Sequence, residues 1–338
     1  MDRRRALKRI TQAAVIATAT PWLAGPAAAR AQGVGDFPSR PIRIVVPYPP
    51  GGVTDVAARL VSDILNRRFG VAVVVENRPG ASGLIGGQVV AGATPDGYTL
   101  LVNGLGGNVL PPVTVKGLPL DIVNAFVPIA EVAEFVNVLV VSQDAKIKTL
   151  DDLLASAKES PNSALSYGSN GLGTSAHLTS EFFAQRTGHT FLHVPYKGSG
   201  ELLIDVVNGN LDFCFSNLPP VMPLIKKGAI RPLAVTSSYR TDQLPEVRTL
   251  GELGVADFDV TSWLGVYGPR GMDPAVIDLL GNAISEGVKA PENMARLKTA
   301  GFEPKPGNAA QFAALNQKEL ARWGKIARDA NVSLQFGS

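Results

Sequence analysis

Ile42-Arg43-Ile44-Val45-Val46-Pro47-Tyr48-Pro49-Pro50-Gly51-Gly52-Val53-Thr54-Asp55 is a short apolar strand, then a glycine-bearing turn, then the start of a helix. Ala164-Leu165-Ser166-Tyr167-Gly168-Ser169-Asn170-Gly171-Leu172-Gly173-Thr174-Ser175-Ala176-His177 repeats that order roughly 120 residues later. A turn of this kind points backbone N–H groups and the positive end of a helix at whatever lies above it. One such turn says little. Two of them point to two lobes that hold one small anion between them.

The flanking sequence alternates strands and helices. Pro41–Pro47 reads as a buried strand, and Thr54–Arg68 as a helix with Val56, Ala57, Leu60, Val61, Ile64 and Leu65 on one face. Val71–Glu76, a short helix from Gly83 to Ala91 and the strand Tyr98–Asn103 complete a β-α-β-α-β run. That order implies a parallel sheet with right-handed crossovers. Asn103–Pro119 has four glycines and three prolines and reads as a loop. Two apolar runs follow, Phe126–Val132 and Phe135–Ser142, the second read as a crossing into another lobe.

Thr149-Leu150-Asp151-Asp152 is a capping box that opens the next helix. The expected order continues with strand Ala164–Gly168, helix Ser175–Thr187, strand Phe191–Pro195 and helix Ser199–Val207. Strands Leu211–Phe215 and Ile230–Thr236 come next, and Ser262–Tyr267 reads as the crossing back. Asp273-Pro274 starts a helix, Pro291–Ala300 is another, and Asn308-Ala309-Ala310-Gln311 caps a long last one. The divisions expected are residues 38–140 for the first part of lobe 1, 141–240 for lobe 2, and 241–338 for the return to lobe 1.

The first 31 residues read as a secretory signal peptide. Arg3, Arg4, Arg5, Lys8 and Arg9 precede an apolar, alanine-rich stretch, and Ala29-Arg30-Ala31 offers a cleavage site. The arginine run fits either the general secretory or the twin-arginine route. These residues hold six Lys/Arg and one Asp, a net +5, whereas the chain of 338 residues is +3; residues 32–338 therefore carry about −2. The basic balance belongs to the leader, which argues against a nucleic-acid partner. With one cysteine, Cys214, three histidines and no Cys-x-x-Cys or His-Glu-x-x-His spacing, neither a disulfide nor a metal site is expected. Ser175, His177 and Asp212 make no plausible triad, since residues two apart on a helix do not face each other and no Gly-x-Ser-x-Gly elbow exists. Gly104-Leu105-Gly106-Gly107 is an incomplete dinucleotide fingerprint. No catalytic residue, metal or cofactor is expected.

The segment Pro41–Arg59 resembles the signature of the Bug proteins, the periplasmic substrate-binding proteins of tripartite tricarboxylate transporters. So do Val74-Val75-Glu76-Asn77-Arg78-Pro79-Gly80-Ala81-Ser82-Gly83, Pro95-Asp96-Gly97-Tyr98-Thr99-Leu100-Leu101, Gly171–Leu178, Val194-Pro195-Tyr196-Lys197-Gly198 and Gly209-Asn210-Leu211-Asp212. The resemblance runs in order through the chain after the leader. It implies an α/β, two-lobed periplasmic-binding-protein (flytrap) fold, each lobe a mostly parallel sheet flanked by helices. It further implies a monomer in the periplasm that takes a small organic carboxylate and delivers it to integral membrane transporter subunits.

On that reading one carboxylate rests on the backbone of two loops, Pro50, Gly51, Gly52, Thr54 and Asp55 in the first and Gly171–His177 in the second. Neither loop contains Arg or Lys, so helix ends and hydroxyls neutralise the anion. Thr54, Ser169, Thr174 and Ser175 are the candidate hydroxyls. Asn170, Gly173 and His177 belong to the second loop, and Asp55 is read as a carboxylate that orders the first. Asp212 is read as facing the cleft and Tyr196 as standing at its rim. The loop from Asn103 to Asn108 covers the distal part of the ligand but lacks the Thr and His common in the family, and Val53 replaces a small or hydroxyl residue. The Val53 change favours a more apolar acid. The rival readings are an exported α/β hydrolase or dehydrogenase, and a module that reports to a membrane sensor.

Overall fold

The computed structural model describes residues 35–159, 165–196 and 198–336. The leader lies outside them, as do Ala164 and Lys197. Among the described residues no helix is long and apolar enough to cross a membrane.

The chain runs β1 (Ile42–Val46), α1 (Val53–Phe69), β2 (Val73–Asn77), α2 (Leu84–Ala91) and β3 (Thr99–Gly104). Both β2 and β3 pair parallel to β1, the arrangement that crossover helices dictate. Next come α3 (Leu110–Thr114), β4 (Val115–Lys116), α4 (Ile122–Ala125) and β5 (Phe126–Ser142), then α5 (Leu150–Glu159), β6 (Ser166–Ser169), α6 (Ser175–Thr187), β7 (Leu192–Pro195) and α7 (Ser199–Val207). The chain finishes with β8 (Phe213–Asn217), α8 (Leu218–Lys226), β9 (Ile230–Val235), β10 (Thr261–Pro269), α9 (Pro274–Lys289), α10 (Pro291–Thr299), β11 (Glu303–Gly307), α11 (Ala309–Asp329) and β12 (Leu334–Gln335).

The fold is α/β and two-lobed, and β5 belongs to both sheets. Its first half pairs antiparallel with β10 on one edge and β11 on the other. Its second half pairs with β8 and β9. One lobe therefore has the strand order β2-β1-β3-β10-β5-β11, and the other β9-β5-β8-β6-β7. The return passage is stitched to β5 at one point. Thr236 donates its N–H to Asn137 O at 3.0 Å, and its own O accepts from Val260 N–H at 2.8 Å. Its hydroxyl lies 2.6 Å from Val260 O. From there β10 runs wholly along β3 and the first half of β5.

Three apolar clusters follow. One joins α1 and α9 to the first sheet, and another joins α7 and α8 to the second. The third runs through both lobes, from Leu105 and Leu110 to Phe183 and Phe215 by way of Trp263, Phe312 and Trp323. The helix starts obey their caps. Thr149 and Asp152 exchange hydrogen bonds at the head of α5, and Asn308 and Gln311 do so at the head of α11.

Two readings of the sequence need correction, and two elements escaped it. The two apolar runs at Phe126 and Phe135 are one strand of 17 residues. The glycine- and proline-rich stretch after Asn103 is not a loop: Leu105–Val109 form a wide helical turn that leads into α3. Pro111 and Pro112 sit in the first turn of α3, where a missing N–H costs nothing. The same effect hid α8, which carries Pro219 and Pro220 at its start. Pro304 and Pro306 hid β11, an edge strand, the one place in a sheet that tolerates proline.

Close approach of α9 to β5 depends on Gly281, where a Cβ would stand 2.7 Å from the carbonyl oxygen of Ile129. Helix propensity alone favours Gly281→Ala by roughly 1 kcal/mol. The contact reverses that sign: the variant is expected to lose about 1–3 kcal/mol by overpacking, read as a lower midpoint in urea unfolding.

Candidate functional site

The first turn leaves the C-terminal end of β1, the edge where ligands bind in open parallel sheets. Gly51 has φ of +86°, a left-handed conformation that glycine adopts without strain. Gly52 is the N-cap of α1 and has no side chain to cover the first N–H groups. Asp55, 3% exposed, reaches back over the turn. Its carboxylate accepts from Gly51 N–H at 3.0 Å, from Arg59 Nε at 2.8 Å and Nη2 at 3.2 Å, and from Asn77 Nδ2 at 3.0 Å. Asn77 also donates to Tyr48 O. Burial by itself would raise the Asp55 carboxyl, but the bonds from Arg59, Gly51 and Asn77 outweigh it and hold it below the usual carboxylate range. Both oxygens are occupied and the Arg59 charge is neutralised, so Asp55 builds the turn. Pro50, Gly51 and Gly52 are exposed. Thr54 is buried, and its hydroxyl makes no hydrogen bond to the described residues.

The second turn leaves the C-terminal end of β6 in the other lobe, and here too the N-cap, Thr174, places no side chain on the first turn of α6. Its hydroxyl donates instead to Gly171 O at 2.7 Å. Ser169 Oγ lies 3.0 Å from Gly171 O, accepts from Gly171 N–H at 3.2 Å and lies 2.7 Å from His193 Nε2. His177 Nδ1 accepts from Gly173 N–H at 3.0 Å, which puts its proton on Nε2. The two imidazoles stack at 4.1 Å with Tyr167 beyond His193 at 4.8 Å, and Tyr167 donates to Glu181 at 2.5 Å. Burial pushes both histidines down to about 4, and for His193 the neighbouring His177 adds to the effect. Asn170 and Ser175 are half-buried, and their side chains make no hydrogen bond to the described residues.

The proposed residues thus divide. Asp55, Ser169, Thr174 and His177 are committed to building the two turns, while the side chains of Thr54, Asn170 and Ser175 and the first N–H groups of α1 and α6 are not engaged by side chains among the described residues. The second turn abuts the other lobe: a Cβ on Gly173 would lie 3.0 Å from Thr114 Oγ1 and from Leu334 Cδ1. Asn103, at the end of β3, is buried and donates to Asn108 Oδ1 at 2.7 Å, and Gly107 packs against its amide. That segment closes on itself. Tyr196 gives its N–H to Ser169 O and its hydroxyl to Asp205 at 2.6 Å. Burial and then the Asp205 carboxylate push its phenol up to about 12.

Asp212 is a correction. Its carboxylate accepts from the N–H and hydroxyl of Ser166, at 2.7 and 2.8 Å, at the N-terminal end of β6. The strands β6 and β8 are parallel, so this is the opposite edge from the glycine turn, roughly 10 Å away, and Asp212 does not face the cleft. With Asp212 held by Ser166, and His177 Nδ1 by Gly173, these residues and Ser175 form no triad. Among the described residues no three His, Cys, Asp or Glu side chains converge as a metal site needs. A groove of about 420 Å³ lies between Thr114, Lys116, Arg328 and Asn331, and none of the residues expected from the sequence lines it.

His193 and Asn77 organise the turns without having been singled out. Each is a polar residue in or at the end of a strand beside the turn-bearing strand, which is the signal that would have found them.

Stability should fall as the pH drops through the window from about 6.5 to about 4. There the unfolded histidines bind protons that the folded His177 and His193 refuse, so the unfolded state gains with every step down. Melting temperature followed across that window is expected to show the slope, and His177→Gln is expected to reduce it. Asp55→Ala should cost about 1–3 kcal/mol of stability at pH 7 by leaving the Gly51 N–H and the Asn77 amide unpaired.

Residues 57–332 match the tripartite tricarboxylate transporter family receptor. The chain is 34% identical to BugT of Bordetella pertussis, over 94% of this chain and 96% of that protein. It superposes on the structure of R. palustris Rpa4515 with adipate at a TM-score of 0.80 and 33% identity, covering 88% of this chain and 100% of that one. The structure of MatC from Rhodopseudomonas palustris with bound malate gives a TM-score of 0.74 and 27% identity, over 86% of this chain and 99% of the other. The chain belongs to the tripartite tricarboxylate transporter receptor family and is a periplasmic solute-binding protein.

Proposed function

We propose that the protein captures its acid between the two glycine turns, does no chemistry on it, and hands it as a monomer to integral membrane subunits. The observation that carries the reading is the pair of long helices, α1 and α6, whose N-termini follow glycine turns and lack side-chain caps. Each offers free N–H groups and a partial positive charge. Thr54, Asn170 and Ser175 add neutral donors, and no Lys or Arg stands in either turn. A carboxylate is the group this arrangement suits. The adipate of the Rpa4515 structure and the malate of the MatC structure favour a dicarboxylic acid here.

The lobes divide close to residues 38–140, 141–240 and 241–338, with the hinge where Thr236 ties Asn137 to Val260. Binding closes the lobes because the acid reaches both turns only in the closed form, and differential affinity of this kind is what shifts the equilibrium. The leader directs the chain to the periplasm by the general secretory or twin-arginine route.

A thermal-shift screen of residues 32–338, stripped of ligand by unfolding and refolding, tests the reading. A dicarboxylate at about 100 times its dissociation constant should add roughly 2.7 kcal/mol to folding stability. Silence across di-, tricarboxylic, acidic amino and aromatic acids would sink it, as would recovery of a chemically altered acid. In titrations, Thr54→Val and Ser175→Ala should each weaken binding about tenfold and leave the melting temperature of the unliganded protein nearly unchanged.

A further inference from the structure

The groove of about 420 Å³ is built from two segments of the chain, residues 112–116 of α3 and β4, and residues 327–333 at the end of α11 and the turn before β12. No residue of the second lobe lines it, so it is not the cleft between the glycine turns. Val113, Ala327 and Val332 give it an apolar inner side, whereas Asn331 and Ser333 are exposed.

Two cations border it. Lys116 and Arg328 are exposed, and neither has an ion pair or a side-chain hydrogen bond among the described residues. Gly324, one turn back on α11, leaves room for the Arg328 guanidinium to lie beside Val113: a Cβ there would stand 3.3 Å from Arg328 Nη1 and 3.6 Å from Val113 Cγ1. The carboxylate next along the helix, Asp329, is taken by Lys325. Among the described residues no Asp or Glu lines the groove. These two positive charges stand on a chain whose residues 32–338 carry about −2. An aromatic ring adjoins them, since Phe336, 44% exposed, gives its N–H to Lys116 O at 2.9 Å. Arginine and aromatic side chains are the residues enriched at protein–protein contacts.

The groove is also joined to the second lobe through its wall. Val115 of β4 pairs with Leu334 of β12. Thr114 and Leu334 are the residues on which the second glycine turn rests, each 3.0 Å from where a Cβ on Gly173 would stand. A movement of that turn therefore acts on α3, β4 and β12, the elements that shape the groove.

We propose that this groove docks an acidic, extended segment of the membrane subunit, which reads lobe closure through it. The proposal rests on the hand-over to membrane subunits given above. Two unpaired cations select carboxylate side chains, and the apolar inner side takes the residues between them. A lipid surface calls for a broad basic face rather than a groove on a net acidic chain. A contact made by two charges and one ring is weak and salt-sensitive, which suits a partner that must release the protein after each transfer.

Lys116→Glu and Arg328→Glu reverse the charges, and Lys116→Ala and Arg328→Ala remove them. These are surface changes, and each variant is expected to melt close to the wild type. A strain deleted for the gene, complemented with each form, is assayed for uptake of dicarboxylic, tricarboxylic, acidic amino and aromatic acids. The purified proteins are titrated calorimetrically with each acid that the wild type carries. The wild type is expected to restore uptake of at least one acid, and each charge reversal to cut its initial rate about tenfold or more, the alanine variants less. All four variants are expected to bind that acid as the wild type does, at one site. Reversals that restore full uptake overturn the docking site and leave the hand-over reading standing. A wild type that restores no uptake overturns both. Variants that lose affinity for the acid, or a second equivalent of acid bound by the wild type alone, make the groove a ligand site and overturn the proposal. So does a dimer in sedimentation equilibrium, or binding to phosphatidylglycerol vesicles, that the wild type shows and the reversals lack; the occupant is then a second copy or a lipid surface.

Discussion

One strand, Phe126–Ser142, is hydrogen-bonded along both edges and gives half of its length to each lobe. A strand cannot leave one sheet and enter another without its backbone groups being satisfied throughout. Here β10 and β11 satisfy the first half, and β8 and β9 the second. The return passage must then run beside the outward one, and Thr236 fixes it there with its backbone and its hydroxyl. The placement of both glycine turns follows, because β1 and β6 are ordered by their pairing toward this shared strand.

The turns themselves are neutral in character. Beside the first turn Arg59 is held by Asp55, and the two histidines of the second are kept unprotonated by burial. What remains for an anion is the positive end of each helix, backbone N–H and a few hydroxyl and amide groups. A carboxylate placed there, as proposed, would avoid the desolvation cost of a buried ion pair. The arrangement also leaves the polar groups that build the turns distinct from those that are free, a division visible in their hydrogen bonds. Ser169, Thr174 and His177 look inward to the backbone of their own turn, whereas Ser175 and Asn170 do not.

Much of this was legible in the residues. The strand-glycine-helix order of both turns, the capping boxes at Thr149 and Asn308 and the amphipathic faces of α1 and α11 are local patterns, and local patterns survive in a linear reading. Proline misled where it sat in a first helical turn, at Pro111 and Pro219, or on an edge strand, at Pro304, since those are the places where its missing N–H is harmless. Asp212 misled because the sequence places it at the head of a strand without saying which edge of the sheet carries the turns.

By itself the sequence determined the α/β alternation, the two turns free of basic side chains and the resemblance that names the family. These depend on residues close together in the chain, where helix period, strand period and backbone freedom act directly. Tertiary structure alone decided that one strand serves both sheets, that Asp55 and His177 lock turns, and that Lys116 and Arg328 border one groove. Each of those facts depends on contacts between distant segments, Asn137 with Asn217 and Thr236, Asp55 with Asn77, Val115 with Leu334, and no local pattern encodes which distant groups will meet.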